Sequence, residues 1–205
     1  MRSRASSSFE RLRAYVQARA TLTPEQIDFI QTLFAPRRLD KGEFLQRAGE
    51  PARYMVFVAR GCLRSYVIDD KGKLHIVRFA PEDWWLSDPG RFLGGEPSTL
   101  FIDAIEASDL LVIDYPSHQR ILDTVPGYAA GYQGGLERLA AAKQRRIISS
   151  LSASAHDRYL DFVATYPTLL RRVPLGMLAS YLGMSPETLS RIRKKLSSRA
   201  PAEKR

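Results

Sequence analysis

The segment Pro174–Leu196, PLGMLASYLGMSPETLSRIRKKL, leaves a chain few ways to fold. With Gly183 taken as a turn, Leu178, Ala179 and Leu182 share one helical face before it. Met184, Leu189, Ile192 and Leu196 share one face after it. Ala179 is small enough for a second helix to cross closely over the first. Gly183 adopts positive φ at no steric cost, as a tight turn between helices often requires. Pro174 suits the first turn of helix one, where its missing N–H is not needed. Ser185-Pro186 repeats that start for helix two, serine as N-cap and proline at the first helical position. The spacing predicts a helix-turn-helix.

Its second helix keeps a polar face. Glu187, Ser190, Arg191 and Lys194 recur at threes and fours opposite the Leu189/Ile192/Leu196 stripe. A helix in the major groove presents such a face, with its N-terminal residues at base edges. Arginine grips guanine O6 and N7 with two donors, glutamate accepts from cytosine N4, and serine fits beside a thymine methyl or a phosphate. Arg193, Lys194 and Lys195 suit phosphate contacts, which add salt-dependent affinity without sequence information. Ser185 and Thr188, at the helix start, complete the candidate DNA-binding set. The competing reading is an ordinary surface helix, its Glu187 and Arg191 an i,i+4 ion pair worth a few tenths of a kcal/mol.

The run from Val173 to Leu196 resembles the C-terminal winged helix-turn-helix signature of the Crp/Fnr family of bacterial transcription regulators. The E-x-x-S-R at Glu187, Ser190 and Arg191 is similar to the recognition-helix pattern of the Fnr branch, which implies a TTGA-type half-site in an inverted repeat. Pro186 departs from the Crp branch, which carries another base- or phosphate-contacting arginine there. The resemblance implies an α+β fold: an N-terminal antiparallel β-roll of the cyclic-nucleotide-binding kind, a long dimerisation helix and a C-terminal winged helix-turn-helix. The implied partners are double-stranded DNA, a second copy of the chain and RNA polymerase.

Charge agrees with a polyanionic partner. The net charge is +9, and part of it gathers late, in Arg191, Arg193, Lys194, Lys195, Arg199, Lys204 and Arg205. A basic helix lying on a membrane is the rival, but nothing near these charges supplies its wide apolar face. No apolar run approaches the roughly 20 residues that span a bilayer, and charges interrupt MRSRASSSFERLRAYV where a signal core would be. A cytoplasmic location without membrane contact is expected. The single cysteine, Cys62, excludes an internal disulfide framework and the roughly four cysteines of an iron–sulfur cluster.

The remaining chain reads as units: N-terminal helices over 1–35, a sensor roll over 36–125, a dimerisation helix over 126–151, the helix-turn-helix domain over 152–198 and a basic tail over 199–205. Residues 1–8 are polar and Ser-rich and are expected to be disordered. Leu12, Tyr15 and Val16 sit at helical spacing, and Thr23-Pro24-Glu25-Gln26 is a capping-box start whose helix Pro36 should end. Strands are expected at Tyr54–Val58, Leu63–Ile68, His75–Phe79, Leu100–Ala104 and Leu110–Asp114, between turn signals at roughly ten-residue spacing. Asp70-Lys71-Gly72 reads as a hairpin turn. Pro116–Val125 reads as a short helix, followed by a long one bearing Tyr128, Tyr132, Leu136, Leu139, Lys143, Ile147 and Leu151 as a heptad-like stripe. That stripe suits a two-fold seam; the alternative is packing on its own roll. Gly131, Gly134 and Gly135 weaken the helix and allow either close approach or bending. Arg145-Arg146 is expected on the helix's outer face. Ser152 or Ser154 caps the next helix, whose apolar side is Tyr159, Leu160, Phe162 and Val163, and any wing would lie around Leu169–Val173.

In family members that bind cyclic nucleotide, a Gly-Glu holds the ribose and an Arg-Ser/Thr about ten residues on neutralises the phosphate. With Ala104-Ile105-Glu106 taken as the strand after this cassette, the resemblance carries Gly-Glu onto Ser87-Asp88 and Arg-Ser/Thr onto Ser98-Thr99. Ser98 cannot pair with a phosphate charge, and burying an anion without a cation costs several kcal/mol. Arg91 is the possible substitute. No cofactor is expected, and cyclic nucleotide is disfavoured as effector. Trp84-Trp85 resembles a Trp-Trp-x-x-Asp form within the family; alternation along a strand would send one ring inward and one outward, or the pair walls an effector pocket with Asp88, Arg91, Ser98 and Thr99, or it contacts the DNA-binding domain. Cys62 reads as a small buried apolar residue, with a redox thiol as the alternative. His75, His118 and His156 lack the clustered spacing of a metal centre, and no Gly-x-Ser-x-Gly elbow or Walker loop is present, so no metal and no enzyme activity are expected. The alternative function is a ligand-binding or protein-interaction module whose helix-turn-helix does not read sequence.

Overall fold

The computed structural model describes residues 2–88, 92 and 96–197. Two helices precede the roll, α1 (Arg2–Gln17) and α2 (Pro24–Thr32). The stretch expected to be disordered is therefore helical from Arg2: the Ser8 hydroxyl donates to the Arg4 carbonyl, and the turn it braces continues a helix anchored by buried Leu12 and Val16. The capping box forms as expected, with Gln26 N–H donating to Thr23 Oγ1 at 3.3 Å and Thr23 N–H to Gln26 Oε1 at 2.9 Å. Pro36 does not end α2, which stops four residues earlier; it lies in an edge strand that pairs on one side only, where a missing N–H is tolerated.

Eight strands form two antiparallel four-stranded sheets: β1 (Ala35–Leu39), β2 (Phe44–Gln46), β3 (Tyr54–Arg60), β4 (Leu63–Ile68), β5 (Leu74–Ala80), β6 (Trp85–Leu86), β7 (Phe101–Ala104) and β8 (Ser108–Asp114). The orders are β1-β8-β3-β6 and β2-β7-β4-β5. All five expected strands are present. β1, β2 and β6 were not foreseen, being short or carrying charged and proline residues that hide the alternation.

The strands alternate between two cores. Val56, Val58, Leu110 and Val112 face Leu63, Ala80, Ile102 and Ala104 inside the roll. Met55, Phe57, Leu111 and Ile113 point outward onto Leu12, Val16, Ile30 and Phe34 of the N-terminal helices. Burial on both faces is why these strands read as continuous apolar runs. Between β3 and β4 the chain turns at Gly61, φ 91°, where a Cβ would stand 2.7 Å from the Ser108 Cα and 2.8 Å from the Ala107 carbonyl oxygen.

After the roll come α3 (Tyr115–Thr124), capped by Asp114, and the long α4 (Pro126–Ser152). α4 is unbroken, and its close approach is at Gly127, where a Cβ would come within 2.9 Å of Leu22; one on Gly131 would meet the Arg19 carbonyl oxygen at an ordinary 3.5 Å, and Gly134 and Gly135 face only Arg138 of their own helix. Then follow α5 (Ala155–Thr165), a 3-10 turn at Leu169–Arg171, α6 (Leu175–Leu182) and α7 (Pro186–Ser197). Ser154 caps α5; Tyr159 and Phe162 are buried, but Leu160 is 42% exposed and does not belong to the apolar side. The wing expected around Leu169–Val173 is this 3-10 turn instead, because buried Leu169 and Val173 are drawn into the domain core. The basic tail over 199–205 lies outside the described residues. No described helix is long and apolar enough to cross a membrane.

Candidate nucleic-acid interface and the seam behind it

α6 and α7 cross on a core of Leu178, Ala179, Leu182 and Leu189, with Met184, Ile192 and Leu196 partly buried against it. Gly183 takes the left-handed conformation, φ 64° and ψ 40°, and donates to the Ser180 carbonyl at 3.2 Å, while Met184 N–H donates to the Ala179 carbonyl at 3.1 Å. These bonds satisfy carbonyls at the end of α6 and turn the chain directly into α7. Ser185 Oγ accepts from the Thr188 N–H at 3.2 Å, so the N-cap is the one read from sequence.

The opposite face of α7 is open. Ser185, Glu187, Ser190, Arg191, Lys194 and Lys195 are exposed, and Thr188 is half-buried at the cap. Leu175 and Pro186 join Glu187, Ser190, Arg191 and Lys194 around an open groove of about 450 Å³. The hydroxyl of Ser185, then the N–H at the helix start, and more weakly the positive charge of Arg191, hold the Glu187 carboxyl below its ordinary value. Glu187 is thus an anion and acceptor beside a guanidinium donor, two complementary reading groups one helical turn apart. All seven candidate DNA-binding residues lie on this one helix or its cap.

The candidate effector residues divide. Asp88, Ser98 and Thr99 do meet: Ser98 Oγ donates to Asp88 Oδ2 at 2.9 Å, and Thr99 N–H lies 3.3 Å from the same oxygen. Ser98 is buried, and its hydroxyl also accepts from the Leu100 N–H at 3.0 Å. Ser98, onto which the resemblance carries the phosphate-binding arginine, is hydrogen-bonded to a carboxylate. The described residues here do not fit a cyclic phosphate; Arg91 lies outside them. Trp84 and Trp85 do not share a pocket. Trp85 packs outward on Phe57 at 5.1 Å and Phe34 at 5.8 Å, whereas Trp84 stacks on Tyr166 at 5.0 Å and 28°.

That stack is the contact to the DNA-binding domain offered as one reading of Trp84-Trp85, and it marks a seam whose polar ties the sequence does not reveal. The helix-turn-helix domain docks on the outer face of the second sheet, joining Tyr66, Ile76 and Phe79 to Tyr159, Phe162, Tyr166 and Leu169 in one core. Polar ties flank it. Ser180 Oγ accepts from Ile76 N–H at 3.1 Å and donates to the Leu74 carbonyl at 2.9 Å, as an added rung on β5. Arg146 does not lie on the outer face of α4: it donates to the carbonyls of Val77, Ile76 and Tyr181 and lies 3.8 Å over the Tyr181 ring. Arg172 donates twice to Glu82, each bond 2.8 Å, and also to Glu106. Burial pushes the Glu82 carboxyl up, but the bonds from Arg172, then those from backbone N–H groups, more than offset it and leave it below the ordinary range. The one legible signal was the aromatic pair Trp84-Trp85; nothing around Arg146, Arg172 or Ser180 announces their ties.

Other candidates behave as bland residues. Cys62 is fully buried and burial pushes its thiol up to about 12, so it is not a reactive thiolate. His118 is buried against Tyr132, 4.6 Å away, without a hydrogen-bond partner at either ring nitrogen, and burial lowers it to about 4. Among the described residues no group of three or more His, Cys, Asp or Glu could hold a metal ion.

Residues 36–125 match the cyclic nucleotide-binding domain family. The fumarate and nitrate reduction regulatory protein of Vibrio cholerae is 23% identical over 193 residues, covering 84% of this chain and 73% of that protein. The transcriptional activator protein anr of Pseudomonas aeruginosa is 23% identical over 184 residues, covering 84% of this chain and 75% of that protein. Among solved structures, the c-di-GMP responsive global regulator CLP of Xanthomonas campestris superposes with a TM-score of 0.68 at 17% identity, covering 89% of this chain and 96% of that one. The superposition shows the same fold over most of the chain.

Proposed function

We propose that this chain, a DNA-binding transcription regulator of the Crp/Fnr type, works as a homodimer on an inverted repeat of TTGA-like half-sites, under a control other than cyclic nucleotide. The observation that carries the reading is the exposed face of α7, where Glu187, Ser190 and Arg191 stand together on a helix held rigidly by Leu189 and the Gly183 turn. Arg191 and Glu187 read base edges; Lys194 and Lys195 neutralise phosphates. The dimer is supported by the course of α4. Tyr128 is buried on the roll, but Leu136, Ile147, Ile148 and Leu151 are 41%, 60%, 54% and 82% exposed, an apolar stripe without a partner in one chain. A two-fold seam there brings two α7 helices to half-sites about one helical turn apart. The Asp88–Ser98 pair supports the last clause, since a cyclic phosphate would meet a carboxylate where it needs a cation.

Selection of duplexes from a random pool tests half-site, symmetry and spacing together. The expected winner is an inverted repeat; no enrichment over scrambled duplex refutes the reading. Arg191→Ala should cost about 1–3 kcal/mol on the selected site and relax preference at one base pair. Equal weakening on specific and random DNA would reduce Arg191 to a phosphate contact.

A further inference from the structure

Every other deeply set arginine at or near the seam has protein acceptors. Arg64 makes a two-bond pair with Asp103, Arg172 holds Glu82 and Glu106, Arg146 takes three backbone carbonyls, and Arg158 takes those of Leu182 and Ala153. Arg78, on β5, is half-buried and has none among the described residues. Its guanidinium lies 5.2 Å over the Trp84 ring, which in turn stacks on Tyr166. A contact to a ring face uses the face of the guanidinium, whereas its five N–H groups lie in its plane and still call for acceptors. The nearest carboxylates in sequence to Trp84 are already engaged: Glu82 by Arg172 and the Gly61 N–H, Asp83 by both nitrogens of the Arg11 fork at 2.6 and 2.8 Å. Arg146 adds a second positive charge against the same aromatic cluster, through Tyr181. Burial disfavours the charged form of Arg78, and the groups that oppose it are tyrosines, Tyr166, Tyr181 and Tyr15, with no carboxylate among them.

A cation held over an aromatic ring, with no protein acceptor for its N–H groups among the described residues, is the half of an ion pair that a ligand completes. We propose that Arg78 is the receptor of a small-oxyanion site in the seam between roll and helix-turn-helix domain, taking the carboxylate or phosphate group of a small molecule. The guanidinium fork matches two oxygens of such a group side by side. Trp84 fixes the plane of the fork, and Tyr166 and Tyr181, which belong to the docked domain, form the other wall. The site is distinct from Asp88, Ser98 and Thr99, and occupancy would be felt directly by the packing that holds the reading head.

The full chain is titrated calorimetrically with sodium phosphate and with sodium benzoate at fixed ionic strength, and Trp fluorescence is followed in parallel. The expected result is saturable binding of at least one probe at one site per chain, weakened tenfold or more in Arg78→Met. Phosphate alone saturating assigns a phosphate group, and benzoate alone a carboxylate. Without probe, Arg78→Met should melt no lower than the parent, because it removes a charge with no partner. Saturation by neither probe, or equal affinity in Arg78→Met, overturns the proposal: the first makes the guanidinium a packing element, the second makes binding a general effect of the +9 charge. Should Arg78→Met not fold, Arg78→Lys keeps the charge without the fork, and unchanged affinity there overturns it equally.

Discussion

Replacing Arg172 by methionine isolates what holds the helix-turn-helix domain to the roll. Its side chain is 24% exposed, and Glu82 and Glu106 are 23% and 33% exposed. That places the cluster between two regimes. Exposed ion pairs are worth about 0–1 kcal/mol, and removing one partner of a fully buried pair costs about 3–5 kcal/mol. At a quarter exposure, with two bonds to Glu82 and a further carboxylate left unneutralised, Arg172→Met should cost about 2 kcal/mol at pH 7. For a chain of this length that lowers the melting temperature by roughly 4–8 °C.

The pH dependence separates this account from a simple packing loss. The folded Glu82 carboxyl lies below its unfolded value, so its contribution is present at neutral pH and disappears as pH falls through the lowered value. In Arg172→Met the largest counterweight to burial is lost and only the backbone N–H bonds remain, so the folded carboxyl rises from its lowered value and the variant loses less stability on acidification than the parent does. The gap between parent and variant should therefore narrow as pH falls through the lowered Glu82 value, carboxylates away from Arg172 cancelling in the difference. Urea unfolding at pH 7 and at several values down to 3.5 reads it, and a double-mutant cycle with Glu82→Gln should return a coupling of about 1–2 kcal/mol. A gap at pH 7 below about 0.5 kcal/mol, or one that stays constant with pH, refutes the clamp.

Gly61→Ala meets backbone at 2.7 and 2.8 Å and must also hold φ near 91°, so it should destabilise by about 3 kcal/mol or more, checked by thermal unfolding. Cys62, with its thiol raised to about 12, should resist iodoacetamide at pH 8 in the folded chain and react once urea unfolds it. Ile147→Asp on the exposed stretch of α4 should leave the melting of the single chain within about 0.5 kcal/mol but shift the species seen by light scattering from dimer to monomer. An unchanged mass would remove that face from the interface.

What the sequence made legible follows from where each constraint acts. The helix-turn-helix was visible because its core, turn and cap are local: Ala179, Gly183, Ser185 and Leu189 lie within eleven residues and each has a short-range reason. The capping box at Thr23 and the Ser154 cap are local in the same way. β1 and β2 were not visible, because APRRL and FLQ become strands only through the partners β8 and β7 bring to them. The helical start at Arg2 was missed for a related reason: composition argued for disorder, and tertiary anchoring through Leu12 and Val16 overrode it. The polar ties of the seam were the largest omission, although Trp84-Trp85 had offered a contact to the DNA-binding domain as one reading. Ser180 reaches residues more than a hundred positions away, and Arg172 partners 66 and 90 positions away, so nothing in their own neighbourhoods announces the contact.

Those ties also bound what a control signal must supply. They reach the roll from three elements: Arg146 from α4, Arg172 after the 3-10 turn, and Ser180 from α6. All end on β5, on Glu82 just beyond it, or on Glu106 after β7. Helix, reading head and roll are thereby fixed to one another at a single edge of the second sheet. Each neutral hydrogen bond contributes about 0.5–1.5 kcal/mol net and a charged one about 1.5–3, so the polar ties together are worth several kcal/mol. Moving such an equilibrium from 1:99 to 99:1 takes about 5.5 kcal/mol of differential binding, a roughly 10⁴-fold preference for one posture. A dimer engaging two half-sites can draw that from DNA alone. A small ligand can draw it only by acting where the ties converge, and Arg78 lies on the same strand as their main anchor.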